Sequence, residues 1–264
     1  MLFKKLRYNL TDPKFAFVHA KEKIYKTILY ILLLTVIISI PTTLKATIDP
    51  TSMGPGSREV YTNLQGVIDK DIEIVDSKLK YEEEYLIDLG LYNIMIGKKV
   101  ANKSAIVINF GETHIETYIG MGGGQKFTTN LKSYEELGLV NFKFNLENKN
   151  ALTNIIVLTL AKDNKLKTVL VLSEFFLNLF ELVFVILMLT FLAFMLKALP
   201  IKFMEHFRVN TQIATIYAVT TLIVLLFGGS MMNILPIVFA YFYQGRAYRS
   251  VKIITKIKVK NKDE

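Results

Sequence analysis

Stretches almost free of charge, each long enough to approach or exceed the thickness of a bilayer, constrain this chain more than any other feature. Ile24 to Leu44 carries one charged residue, Lys26, and Thr168 to Leu196 carries only Glu174 and Glu181. Thr211 to Phe227 and Met231 to Tyr243 carry none. At ~1.5 Å per residue, about 20 helical residues cross a hydrocarbon core of ~30 Å. A helix on the surface of a soluble protein would break such runs with charges on its wet face. These runs therefore read as membrane helices.

Charge placement sets the expected orientation. The formal net charge is +9, which in a soluble protein would suggest a nucleic-acid partner. Here the surplus lies at the two ends. Lys4, Lys5, Arg7, Lys14, Lys21, Lys23 and Lys26 lie before or at the start of the first run, and Arg246, Arg249, Lys252, Lys256, Lys258, Lys260 and Lys262 follow the last. Between Asp49 and Lys167, acids and bases nearly cancel. Basic clusters beside apolar runs follow the positive-inside rule. Both termini are expected in the cytoplasm of a cell with the chain in its plasma membrane, and no nucleic-acid partner is expected. Cysteine is absent, so neither disulfides nor thiolate chemistry enter.

The expected fold is an α-helical membrane protein with about four transmembrane helices and an inserted extracytoplasmic α+β domain. Residues 1–26 form a basic cytoplasmic interfacial segment, 27–48 the first transmembrane helix, and 49–167 the extracytoplasmic domain. The second helix covers 168–197, a cytoplasmic loop 198–210, the third helix 211–229, the fourth 231–248, and a basic cytoplasmic tail 249–264. The first run reads as an uncleaved signal anchor ending near Pro41, because Leu44-Lys45-Ala46 is a poor small-x-small cleavage site. Lys14 to Lys26, with Phe15, Val18 and Tyr25 among lysines, reads as an interfacial helix on the anionic leaflet. The second run is longer than a crossing needs; it either tilts or continues a helix from Asn154–Leu160. Gly228-Gly229-Ser230 reads as a tight turn. The short fourth run either crosses fully, with Arg246 and Arg249 snorkelling, or forms a re-entrant hairpin with the third; full crossing is preferred.

The domain opens on the turn-rich linker Asp49 to Gly56. Val60, Leu64, Val67 and Ile68 recur at helical spacing. Ile72 and Ile74 alternate with acids, as in a half-buried strand. Ile106, Ile108 and Phe110, then Gly111, then Ile115, Thr117 and Ile119 predict a β-hairpin. Phe127 and the Phe142–Leu146 alternation add strands, and Tyr134 to Leu139 a short helical turn. The segment is too long for an idle connecting loop.

Tyr8-Asn9-Leu10-Thr11-Asp12-Pro13-Lys14, then Lys26-Thr27-Ile28-Leu29-Tyr30 leading to Pro41, and Phe207-Arg208-Val209-Asn210 resemble a family of multi-pass membrane proteins from low-GC Gram-positive bacteria. That family is catalogued as a domain of unknown function, and some members are labelled maltodextrin-utilisation proteins. Ile72 to Leu79 is similar to the family's F-x-I-x-x-G-x-L run, with Ser77 where glycine is usual. The resemblance covers most of the chain by architecture. It implies four spans, an extracytoplasmic β-containing domain and a role near carbohydrate uptake, but no established activity. A more distant similarity to the Yip-type membrane fold bears on architecture alone.

The foremost candidate site is a polar stripe on the second span. Ser173, Glu174, Asn178 and Glu181 recur at helical spacing and share a face. A carboxylate at the depth of Glu181 costs a few kcal/mol unless neutral, wet or paired. Thr215, Tyr217, Thr220 and Thr221 could supply hydroxyls. The stripe is either a polar-solute site or a helix–helix hydrogen-bond contact, and the second is preferred. Other motifs are weaker. Gly120 to Lys126 lacks the Gly-Lys-Ser/Thr register of a phosphate loop and reads as a hairpin loop. His114-x-Glu116 has no second ligand cluster nearby, so no metal is expected. Glu82-Glu83-Glu84 reads as a solvated face, and His19 and His206 as residues of the cytoplasmic membrane surface. No nucleophile turn, catalytic residue or cofactor site is recognisable. The expected function is a non-enzymatic accessory, sensory or assembly protein whose outer domain binds a ligand or a membrane-protein partner. The alternative is a subunit of a small-solute transporter, working as a homo-oligomer or with a larger partner.

Overall fold

The computed structural model describes residues 2–49, 51, 54–68, 70–97, 106–120, 125–196, 198–227 and 234–260. In chain order the helices and strands are α1 (Leu2–Thr11), α2 (Ile24–Ile48), α3 (Ser57–Asn63), β1 (Glu73–Val75), β2 (Lys78–Lys80), β3 (Tyr85–Leu89), β4 (Tyr92–Ile96), β5 (Ile106–Phe110), β6 (His114–Gly120), β7 (Lys126–Ser133), β8 (Phe142–Lys143), α4 (Lys149–Ala161), α5 (Asn164–Met195), α6 (Phe203–Leu226) and α7 (Leu235–Lys260). They fall into two compact units, Lys45–Val171 and the remainder, Met1–Leu44 with Leu172–Glu264.

The first unit is a β-sheet domain. Five strands run in the order β3-β4-β5-β6-β7, and a smaller sheet in the order β2-β1-β8. All pairs are antiparallel except β4 with β5. Period-two alternation explains the core. Ile94 and Ile96 on β4, Ile106, Ile108 and Phe110 on β5, and Ile115 on β6 join Val60, Leu64, Ile156 and Leu160 from the helices in one buried cluster. The opposite face buries Met95, Val107 and Tyr118. The expected hairpin is the β5–β6 pair, with Phe110 opposite Ile115. Tyr134 lies wholly inside the core and donates to the Gly111 carbonyl at 2.6 Å; burial pushes its phenol pKa up. α3 packs beside α4, and Gly54 lies against Leu160, so the two ends of the domain meet.

Two expectations for this unit are sharpened. Tyr134 to Leu139 is a single turn in which the Leu137 N–H bonds the Tyr134 carbonyl at 3.2 Å and the Gly138 N–H the Glu135 carbonyl at 3.0 Å, closed by the Leu139 N–H on the Tyr134 carbonyl at 2.8 Å; Gly138, at φ +71°, ends it there. The Phe142–Leu146 strand shortens to Phe142–Lys143, because β1, its partner, is itself short. Residues 121–124 of the glycine-rich loop lie outside the described residues.

In the helical unit, α2, α5 and α6 are long and apolar enough to cross a membrane, by length and composition. Leu34, Ile186, Leu189, Val209 and Ile213 lie in its buried cluster. Pro41 does not end α2, which continues to Ile48; proline removes one ladder hydrogen bond and a helix can absorb that loss. The second span does not continue from α4. The chain breaks at Lys162, and Asp163 starts α5 afresh by accepting from the Leu166 N–H at 2.9 Å, an N-cap.

The remaining boundaries also shift. Residues 14–26 form no single helix. Asp12 caps a 3-10 turn over Pro13–His19, and α2 starts only at Ile24, while α1 forms where no helix was expected. α6 begins at Phe203, within the expected loop 198–210, since Glu205 accepts from the Lys202 N–H at 3.0 Å. Among the described residues, the fourth segment, expected over 231–248, is not one of the helices apolar enough by composition to span. It starts at Leu235 and carries Gln244, Arg246 and Arg249 onward to Lys260, so much of the expected basic tail is helical. The expected Gly228-Gly229-Ser230 turn lies outside the described residues.

Candidate functional site

α5 presents the polar stripe. Asn178 is buried and donates to Ser39 Oγ of α2 at 3.1 Å. Glu181 accepts at Oε1 from the Tyr217 hydroxyl of α6 at 2.7 Å, although its side chain stays exposed along α5. Ser173 is exposed and Glu174 half-buried. The four residues thus share a helix without converging on one cavity. Asn178 faces α2 and Glu181 faces α6.

α6 is the polar centre of the helical unit. His206, Asn210, Thr211, Gln212 and Thr215 are almost fully buried, and several of them reach different neighbours. Gln212 accepts from Asn9 Nδ2 of α1 at 2.7 Å, and Thr215 shares a hydrogen bond with Tyr30 of α2 at 2.7 Å. Asn210 accepts from Gln244 Nε2 of α7 at 2.8 Å, and Gln244 also reaches the Leu189 carbonyl at 2.7 Å. His206 pairs with the Tyr248 hydroxyl at 2.8 Å and stacks on its ring. The Tyr243 hydroxyl donates to the Asn9 carbonyl. His206 is therefore not a surface residue, because starting α6 at Phe203 turns it inward. In an apolar surrounding, paired polar groups hold helices at one rotation and register.

The β-sheet domain offers open clefts instead. One, of about 560 Å³, is lined by Lys70, Lys80, Lys143, Asp71, Glu73 and Tyr81 among others. Gly97, at φ +105°, makes room for the wall: a Cβ there would come within 3.0 Å of Tyr81 Cε2. Glu82, Glu83 and Glu84 are all exposed, as expected of a solvated face, and Glu82 also lines the cleft. A second cleft, of about 520 Å³, includes His114, Asp76 and Glu136. Glu116 does not join His114 as a ligand pair. Its carboxylate accepts from Lys126 Nζ at 2.6 and 2.8 Å and from Thr128 Oγ1 at 2.6 Å. Burial opposes its charge, but these partners outweigh burial and hold its pKa below the ordinary carboxyl value.

Sequence patterning had placed Glu181 and its hydroxyl donors in view. It missed the α6 network, whose His206 and Asn210 fell in the expected loop 198–210 and whose Gln212 and Thr215 fell in the expected third span without their partners, and the cleft, whose walls come from β1, β2 and the residues around β8. Comparison of the chain with family models, curated proteins and solved structures returns no match.

Proposed function

We propose that this is a non-enzymatic integral membrane protein whose extracytoplasmic β-sheet domain binds a polar ligand or partner, and whose helices serve as its anchor. The cleft of about 560 Å³ carries the reading. Lysines, carboxylates and a tyrosine converge there, a set that hydrogen-bonds hydroxyl-rich or zwitterionic molecules of the cell envelope. By contrast, Asn178 and Glu181 spend hydrogen bonds on Ser39 and Tyr217, which favours helix packing over a solute path. The resemblance to the maltodextrin-labelled family makes oligosaccharides the first ligands to try.

The topology belongs to the same reading. α1, the start of α6 and Tyr243–Tyr248 of α7 are linked through Asn9, Gln212, His206 and their partners, so α7 returns the chain to the end of the helical unit from which α6 sets out. With the basic clusters there, both termini are cytoplasmic and α7 is the fourth crossing. Titration of the full-length protein in detergent with linear oligosaccharides and cell-wall fragments tests the cleft. Binding that Tyr81→Ala and Lys143→Ala weaken at least fivefold supports it; no binding, together with no co-purifying envelope partner, overturns it.

A transporter subunit is the second reading. The observation that favours it is Glu181, an exposed carboxylate between the exposed Phe180 and Phe184. A second copy or a larger partner would have to cover it at membrane depth. Unchanged solute uptake and growth with Glu181→Gln would remove that reading.

A further inference from the structure

The cytoplasmic end of the helical unit holds a cavity of about 440 Å³ between α1, the residues after the Pro13–His19 turn and the first turns of α2. Tyr8, Tyr25 and Leu29 form apolar walls, each about half exposed. Lys4 and Lys26 stand at the same cavity. Glu22 faces it too, but Lys5 Nζ binds that carboxylate. Burial, then Lys5 and Lys26, lower the pKa of His19, with Glu22 opposing, so His19 adds little positive charge at neutral pH. Among the described residues, Lys4 and Lys26 form no ion pair, unlike Lys5.

The cavity also opens onto a particular surface. Tyr25, Leu29, Leu32, Val36 and Ile40 are each exposed on α2 and follow one another three or four residues apart, an uncovered apolar stripe. A soluble anion would use the lysines and leave this stripe bare. A phospholipid would use both, with its phosphate at the ammonium groups and a chain along the helix.

We propose that this cavity is a binding site for an anionic phospholipid, its headgroup held by Lys4 and Lys26 and its acyl chain laid along Leu29, Leu32, Val36 and Ile40. The assignment rests on the membrane placement proposed above. Retention of the chain in carbonate-washed membranes tests that placement separately, so the site can fail while the placement stands.

Native mass spectrometry of the full-length protein, released from detergent with added phosphatidylglycerol or phosphatidylcholine, reads the site directly. Phosphatidylglycerol is expected to bind about tenfold more tightly. Lys4→Gln with Lys26→Gln should abolish that preference, whereas Lys14→Gln with Lys21→Gln, an equal charge loss at exposed positions outside the cavity, should preserve it. As a second measure, Tyr8→Trp places a tryptophan at the wall of a chain that has none. Brominated phosphatidylglycerol should quench it more than brominated phosphatidylcholine. Equal binding of the two lipids, equal loss in both lysine pairs, or displacement of the lipid by inorganic phosphate would overturn the proposal.

Discussion

Tyr217 donates its phenolic proton to Glu181 across the α5–α6 contact at 2.7 Å. The carboxylate lies on a helix apolar enough to span a bilayer, where an unpaired acceptor would be costly. Tyr217→Phe removes the donor and leaves the acceptor, so it should lower the stability of the helical unit by about 1–3 kcal/mol. Glu181→Gln keeps an acceptor oxygen and should cost less than ~1 kcal/mol. Thermal unfolding in detergent measures both, and a harmless Tyr217→Phe would show that the contact stabilises nothing.

Ser77 offers a stabilising change. Asp76 and Ser77 connect β1 to β2 with φ of +51° and +60°, and Val75 pairs with Lys78. Two central residues with positive φ make a type I′ hairpin turn, which favours glycine at the second. The Ser77 hydroxyl also lies buried without a hydrogen-bond partner. Ser77→Gly should raise stability by ~1 kcal/mol, read as a higher unfolding midpoint.

Asp163 joins two parts of the β-sheet domain. It caps α5 through the Leu166 N–H and accepts from the Thr129 hydroxyl. Thr129 sits at the β6–β7 register shift, where Thr117 pairs with Asn130 and Tyr118 with Thr128. Asp163→Ala should destabilise by about 1–3 kcal/mol, and Asp163→Asn by less. Faster hydrogen exchange in both β7 and the start of α5 would identify the link; exchange confined to α5 would reduce it to a helix cap.

Glu116 gives a pH dependence. Its folded pKa is lowered, so its stabilising contribution is complete above the ordinary carboxyl range and is lost as pH falls through the folded value. The difference in unfolding midpoint between wild type and Glu116→Gln should be largest near neutral pH and should shrink as pH falls through the lowered folded value. A difference that persists in acid would assign the effect to packing.

Why some elements were legible and others not follows from burial. β5 and β6 were read from alternation, since Ile106, Ile108, Phe110 and Ile115 line one buried face. β4 went unread because all its residues, Tyr92 to Ile96, are buried, and a strand covered on both faces has no period of two. The first turns of α6 looked like a loop because His206 and Asn210, both buried, are polar. Their burial depends on α1 and α7, which no local pattern announces. Glu181 stood out as a carboxylate in an apolar run. The pairing of Asn178 with Ser39 could not be read, since it joins distant residues through helix packing.

The meeting of α3 with α4, and of Gly54 with Leu160, makes the sheet domain a cassette whose two chain crossings share one doorway. Units inserted in that manner can be lifted out and the gap closed with a few residues, leaving the host path intact. The same closure means that α3, made first, can touch β3 early but meets α4 only after β8 and α4 have followed it. The doorway therefore closes only when the last third of the domain has been made, whereas strands β3 to β7 have all their sheet partners before that point.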